Sequence, residues 1–194
     1  MDRPPPGVLN LANLLSLSRL VLAPVICALI VRERPLAALV VLLVAAITDW
    51  LDGQVARRMG LLSPLGRQLD PLTDKVLVLA VYIYLLAIPA DTGLSPWMVA
   101  VIVAREVIVQ AIRGHVEGRG DSFAAKMAGK LKTTFQFASL IAILLVLDER
   151  FDGPATRWAR DALTWIAVGL TIYSGLAYVQ LAWPTLREAA RPAE

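Results

Sequence analysis

At 194 residues, 57% hydrophobic and 18% charged, with a mean hydropathy of +0.63, the chain is too apolar for an ordinary soluble domain. It is also too weakly charged for a disordered segment, a coiled coil or a nucleic-acid-binding module, so no nucleic-acid partner is expected. The net charge is +3, and the position of the basic residues matters more than their sum.

A bilayer-spanning helix needs about 20 mostly apolar residues. Six stretches approach that, at residues 11–31, 36–51, 71–90, 94–113, 131–147 and 161–182. The expected fold is all-α, an integral membrane bundle of six transmembrane helices forming a single membrane domain over residues 1–194. The first stretch is too long for a signal-peptide core and lacks a small-residue cleavage pattern, so it is read as a retained helix. Pro24 is expected to kink it, and Cys27, the single cysteine, reads as a packed small hydrophobe.

The second stretch stops early at Thr48, Asp49 and Asp52, which marks that end for chemistry. A Ser63-Pro64 turn is expected to reverse the chain before the third stretch. Pro35, Pro89, Pro96 and Pro154 fall where helices should start or stop. Arg105 and Glu106 stand midway along the fourth stretch, where charge defaults to function, the alternative being a mutually neutralising pair. The fifth opens on Gly129-Lys130-x-Lys132-Thr133-Thr134, which places cations and hydroxyls at the cytoplasmic surface, or else anchors anionic headgroups. His115, without partners of its kind, reads as a solvated loop residue. Trp50, Trp97, Trp158 and Trp183 sit near stretch ends, as in an aromatic belt.

The links after the second and fourth stretches carry eight Lys and Arg (Arg57, Arg58, Arg67, Arg113, Arg119, Lys126, Lys130, Lys132). Those on the other side carry five (Arg32, Arg34, Arg150, Arg157, Arg160). The bias places the first group in the cytoplasm, and both termini with it.

Asp49 and Asp52 are three residues apart and Asp70 and Asp74 four apart, so each pair projects from one helix face. Antiparallel helices joined by a short cytoplasmic link bring the pairs to one side of the membrane. Four carboxylates together are very costly unless cations neutralise them. An all-oxygen donor set selects Mg²⁺ or Mn²⁺ over zinc. Gly53 and Ala56 leave room for a ligand beside the backbone, Arg57 can pair with a phosphate, and Gly66 supplies a permissive position before the third helix. For a lone Asp, helix capping would explain as much. Four at this spacing describe a diphosphate site.

The run Asp49-x-x-Asp52-Gly53-x-x-Ala56-Arg57, eight residues, Gly66, three residues, Asp70, three residues, Asp74 resembles the signature of the CDP-alcohol phosphatidyltransferase family at every fixed position. The resemblance implies six-helix membrane enzymes, usually homodimers, that move a phosphatidyl or related group from a CDP-linked donor to an alcohol and release CMP. It implies that Asp49, Asp52, Asp70 and Asp74 bind two divalent cations and that Asp74 also serves as the catalytic base. It further implies that Asp52, Gly53, Ala56 and Arg57 contact the CDP moiety of CDP-diacylglycerol.

The Ala-Arg-Glu stretch at Arg105 and Glu106, the Gly-Lys-x-Lys-Thr-Thr stretch at Gly129, and the opening Asn10-Leu-Ala-Asn13-Leu-Leu-Ser16-Leu-Ser-Arg19 resemble the bacterial phosphatidylglycerophosphate synthase subfamily. That likeness adds Asn13 and Ser16 to the CDP site. It makes glycerol 3-phosphate the expected acceptor, its dianionic phosphate held by Arg105, Arg113, Lys130 and Lys132. Ala12 stands where proline is more usual, and residues 114–121 lack the Trp expected soon after Arg113. The implied place is a bacterial-type inner membrane, with the active site facing the cytoplasm.

Three alternatives stand beside this reading. Phosphatidylglycerol, an inositol phosphate or serine would serve as acceptor in the same chemistry. A divalent-cation transporter would use the acids as its binding site, although such sites sit near the midplane on repeated halves. A catalytically silent scaffold would have no use for four retained carboxylates.

Overall fold

The computed structural model describes the backbone of residues 11–59, 64–117 and 126–189. Within these it describes the side chains except at 11–17, 49–59, 64–72, 74, 113–117, 126–128, 130, 181 and 185–189. The regular elements among the described residues are six helices: α1 (Leu11–Val31), α2 (Pro35–Met59), α3 (Pro64–Ala87), α4 (Pro96–Glu117), α5 (Lys126–Val146) and α6 (Pro154–Ala189).

Pro35, Pro64, Pro96 and Pro154 each open a helix. At that position the missing N–H would have had no partner anyway, and the fixed φ already suits the helix. The expected Ser63-Pro64 turn lies largely outside the described residues, which resume at Pro64. Pro24 lies inside α1, which stays helical on both sides of it.

The helices outrun the apolar stretches that announce them. The second stretch does not end at residue 51, because α2 runs on through Thr48, Asp49 and Asp52 to Met59. Likewise α3 starts at Pro64 instead of 71, α5 at Lys126 instead of 131 and α6 at Pro154 instead of 161. Hydropathy reports which solvent a side chain prefers, whereas helicity needs good helix formers and a satisfied backbone, and Gln54, Arg57 and Arg58 carry α2 onward. By the same extension His115 stands in the last turns of α4, not in a loop.

Two links show how the chain turns. After α1, the Arg34 N–H donates to the Leu29 carbonyl at 2.9 Å and the Glu33 N–H to the Ile30 carbonyl at 3.0 Å. This is a Schellman closure with Glu33, at φ 55°, in the left-handed place usually taken by glycine. Before α4, Gly93 has φ 68°, and a Cβ there would fall 2.7 Å from Arg160 Nε and 2.8 Å from Asp161 Oδ1. Arg160 is buried and bonded to Asp161 at 2.8 Å. Gly93→Ala therefore combines backbone strain with a clash against a fixed ion pair. It should lower the thermal midpoint in detergent by the equivalent of about 2 kcal/mol; a midpoint equal to that of the parent chain would refute the account.

The chain divides into two compact units, one holding α1 to α3 with residues 144–153, the other holding α4, most of α5, and α6. In the first, α1 packs against both α2 and α3. The buried positions are Ala23, Ile26 and Ile30 on α1, Ala38, Leu42 and Ala45 on α2, and Val78, Val81 and Leu85 on α3. They repeat every three or four residues, one face per helix, and the alanines let backbones approach closely.

In the second unit α4 packs against α6. The buried face of α4 is Met98, Ile102, Arg105, Val109 and Ile112, and that of α6 is Arg160, Thr164, Ala167, Thr171, Ser174 and Tyr178. Hydroxyls and amides join α5 to α6: Ser139 and Thr164 share a hydrogen bond of 2.8 Å, and Gln136 Nε2 donates to Thr171 Oγ1 at 3.3 Å. Thr171 in turn donates to the Ala167 carbonyl at 2.6 Å.

The polarity is that of a membrane protein, with polar groups inside and large apolar side chains such as Val21, Val40, Ile47, Ile83, Val107 and Leu176 outside. Among the described residues, Pro154–Gln180 is long and apolar enough to cross a membrane. Ser18–Val31, Pro35–Thr48, Lys75–Ala87 and Leu131–Val146 are shorter apolar helical stretches. Trp97, Trp158 and Trp183 are exposed, as an aromatic belt requires, and Trp97 meets Trp165 at 5.6 Å between ring centroids. Trp50 lies outside the described side chains. Cys27 is half-buried with its thiol free.

Candidate active site

On α2, Thr48 closes the apolar part of the helix by donating back to the Val44 and Ala45 carbonyls, each at 2.9 Å. Beyond it the helix continues without a break. The buried positions Ala38, Leu42 and Ala45 advance by four and three residues, and the same steps lead to Asp49, Asp52 and Ala56. On α3 the buried Leu85, Val81 and Val78 lead back by four-residue steps to Asp74, Asp70 and Gly66. On α1, Ile30, Ile26, Ala23 and Arg19 lead back to Ser16. Each motif position thus continues, in sequence, the three- and four-residue spacing of the buried residues on its helix. All three helices belong to one unit, in which α1 touches both others.

The side chains of Asp49, Asp52, Arg57, Asp70, Asp74, Asn13, Ser16, Arg113 and Lys130 lie outside the described residues, as do Gly53, Ala56 and Gly66. The described residues nearest to them in register are themselves informative. Thr73, between Asp70 and Asp74, is 1% exposed, and Arg19 is 2% exposed. A buried arginine and a buried threonine bordering this motif were not among the expected site residues. Their spacing from the apolar positions of α1 and α3 is the signal that would have found them.

Arg105, Glu106 and Lys132 are fully described. They are 8%, 3% and 3% exposed. Arg105 Nη1 donates to Glu106 Oε1 at 3.2 Å and to Oε2 at 3.3 Å, and Lys132 Nζ donates to the same Oε1. The pair foreseen on α4 is thus a triad that reaches α5, carrying one net positive charge. Lys132 stands on α5 and is buried, not displayed at a surface. A lipid-headgroup anchor therefore does not describe it.

Arg105 has two further features. Its guanidinium carbon lies 5.3 Å from the centroid of the Tyr178 ring, and its buried Nε has no hydrogen-bond partner among the described residues. A buried donor left unpaired costs about 1–3 kcal/mol, so an acceptor arriving from a ligand would recover that loss. Tyr178 and Gly175, both beside Arg105, are residues that a search for charged side chains passes over.

Residues 9–173 match the family model described as CDP-alcohol phosphatidyltransferase. The chain is similar to the CDP-diacylglycerol--glycerol-3-phosphate 3-phosphatidyltransferase of Bacillus subtilis strain 168, 35% identical over 196 residues that cover 92% of this chain and 97% of that one. It is similar to the enzyme of the same description from Escherichia coli K12, at 35% over 178 residues, 89% of this chain and 94% of that one. It is also similar to a cardiolipin synthase (CMP-forming) of Oryza sativa subsp. japonica, 32% identical over 198 residues, 94% of this chain. This chain spans 60% of the rice protein's length.

Proposed function

The chain belongs to the CDP-alcohol phosphatidyltransferase family, and from that premise we propose that it transfers the phosphatidyl group of CDP-diacylglycerol to sn-glycerol 3-phosphate. The products are phosphatidylglycerophosphate and CMP. The observation that carries the reading is the register of the two acidic pairs with the buried faces of α2 and α3. Acids at that spacing continue the pattern of the buried residues, which supports a ligand-binding role for them.

Four carboxylates supply an all-oxygen donor set that fits two Mg²⁺ or Mn²⁺ ions, with Asp49, Asp52, Asp70 and Asp74 as ligands. When bound, such ions neutralise the diphosphate and stabilise the departing CMP. The chain's own residues do the rest. Asp74 accepts the proton of the acceptor's hydroxyl as that oxygen bonds to the β-phosphorus and the bond from this phosphorus to the bridging oxygen breaks. Asp52, Gly53, Ala56, Asn13 and Ser16 seat the CDP moiety, and Arg57 pairs with its diphosphate. Arg105 and Lys132, with Arg113 and Lys130, hold the acceptor's phosphate. Arg105 Nε, buried and without an acceptor among the described residues, supports that assignment.

The reading extends to a homodimer in a bacterial-type inner membrane, with six spans, both termini and the active site on the cytoplasmic side. Membership in an enzyme family leaves cation transport and a silent scaffold without support. A second acceptor stays in view because the rice relative is described as a cardiolipin synthase, which makes phosphatidylglycerol the competing alcohol.

The deciding experiment incubates the purified protein with CDP-diacylglycerol, Mg²⁺ and one alcohol at a time, and measures CMP release. Glycerol 3-phosphate should support turnover that a chelator abolishes. Turnover with phosphatidylglycerol, inositol phosphate or serine, and none with glycerol 3-phosphate, would replace the acceptor.

A further inference from the structure

We infer that Tyr178 and Gly175 of α6 are positioning residues that hold Arg105 for the acceptor's phosphate, an inference that rests on the acceptor role proposed for Arg105. Three contacts fix this side chain. A Cβ on Gly175 would fall 3.0 Å from Arg105 Cγ and 3.9 Å from its Cβ, so the arginine stem crosses α6 where there is no side chain to block it. Beyond the crossing, the guanidinium lies over the Tyr178 ring at 5.3 Å. One edge is then taken by Glu106, while Nε has no acceptor among the described residues.

The division of labour follows from the geometry of a planar cation. The ring takes the face, the carboxylate takes Nη1, and the Nε donor is held in a fixed direction inside a buried place. Tyr178 is itself buried, and its hydroxyl lies 3.9 Å from where a Cβ on Gly129 would stand. One tyrosine thus spans from Arg105 on α4 to the segment of α5 that carries Lys130 and Lys132. A flexible arginine in the same place would have to be ordered at each binding event, and that entropic cost would appear in acceptor affinity and not in the chemical step.

The test compares Tyr178→Phe, Tyr178→Leu, Gly175→Ala and Arg105→Ala by CMP release, varying glycerol 3-phosphate at saturating CDP-diacylglycerol and the reverse. Tyr178→Leu should raise the KM for glycerol 3-phosphate several-fold, up to about thirty-fold, with kcat and the KM for CDP-diacylglycerol within about two-fold. Tyr178→Phe, which keeps the ring over Arg105, should raise the KM for glycerol 3-phosphate clearly less than Tyr178→Leu does, and Gly175→Ala should move it as leucine does. Where the leucine variant does not insert, Tyr178→Met carries the same expectation.

Equal values for the Phe and Leu variants overturn the inference, as does a parallel fall in kcat and both affinities. A raised acceptor KM in Arg105→Ala with an unchanged one in Tyr178→Leu removes the positioning role alone. An unchanged acceptor KM in Arg105→Ala removes the acceptor role and this inference with it.

Discussion

Asp74→Asn is expected to abolish CMP release, by about a thousand-fold or more, while the protein remains folded and membrane-inserted. Asparagine has nearly the same volume, and α3 runs through this position from Pro64 to Ala87, so helix formation loses little. The amide cannot take the acceptor's proton, a role worth about 10²–10⁴ in rate, and it is a poorer ligand for a hard cation. The two losses separate on titration with Mg²⁺. A deficit of ligation alone should recover at high metal concentration, as expected for Asp49→Asn, whereas loss of the base should persist at saturation. Parent activity in Asp74→Asn, or full recovery at high Mg²⁺, would take the base role from this residue.

What the linear sequence discloses differs between helix, motif and contact. The first apolar stretch and α1 both end at residue 31, because there the apolar run and the helix are ended by the same Arg32-to-Arg34 closure. For α2 the two diverge: the apolar run ends at the acids, yet the backbone has no reason to stop before Met59. The proline starts were legible because the chemistry is local. The positive φ of Glu33 was not, since glutamate gives no hint of a left-handed turn.

The acidic motif needs only spacing to be seen, and that spacing continues the three- and four-residue steps of the buried positions on α2 and α3. The cation assignments needed more than spacing. Glu106 and Lys132 are 26 residues apart, and the packing of the second unit decides that they meet. Without that contact, Lys132 reads as a surface cation at a helix start. Arg105 reads as half of a pair, whereas it is shared among Glu106, Tyr178 and the gap at Gly175.

That sharing makes Glu106 a position whose loss should weaken the fold. Glu106→Gln keeps the shape but removes the carboxylate that Arg105 and Lys132 share, which weakens the hold on both buried cations. Breaking a buried pair in this way costs about 3–5 kcal/mol, to be read as a lower thermal midpoint in detergent. Glu106→Gln combined with Lys132→Met removes the surplus charge and should recover part of the loss, a coupling that a double-mutant cycle measures directly. The same variant also bears on the acceptor. A dianion that binds between Arg105 and Lys132 supplies the missing negative charge, so glycerol 3-phosphate should raise the midpoint of Glu106→Gln more than that of the parent chain, and glycerol should raise neither. A Glu106→Gln midpoint that glycerol 3-phosphate does not raise would confine the triad to a structural role and move the acceptor's phosphate elsewhere.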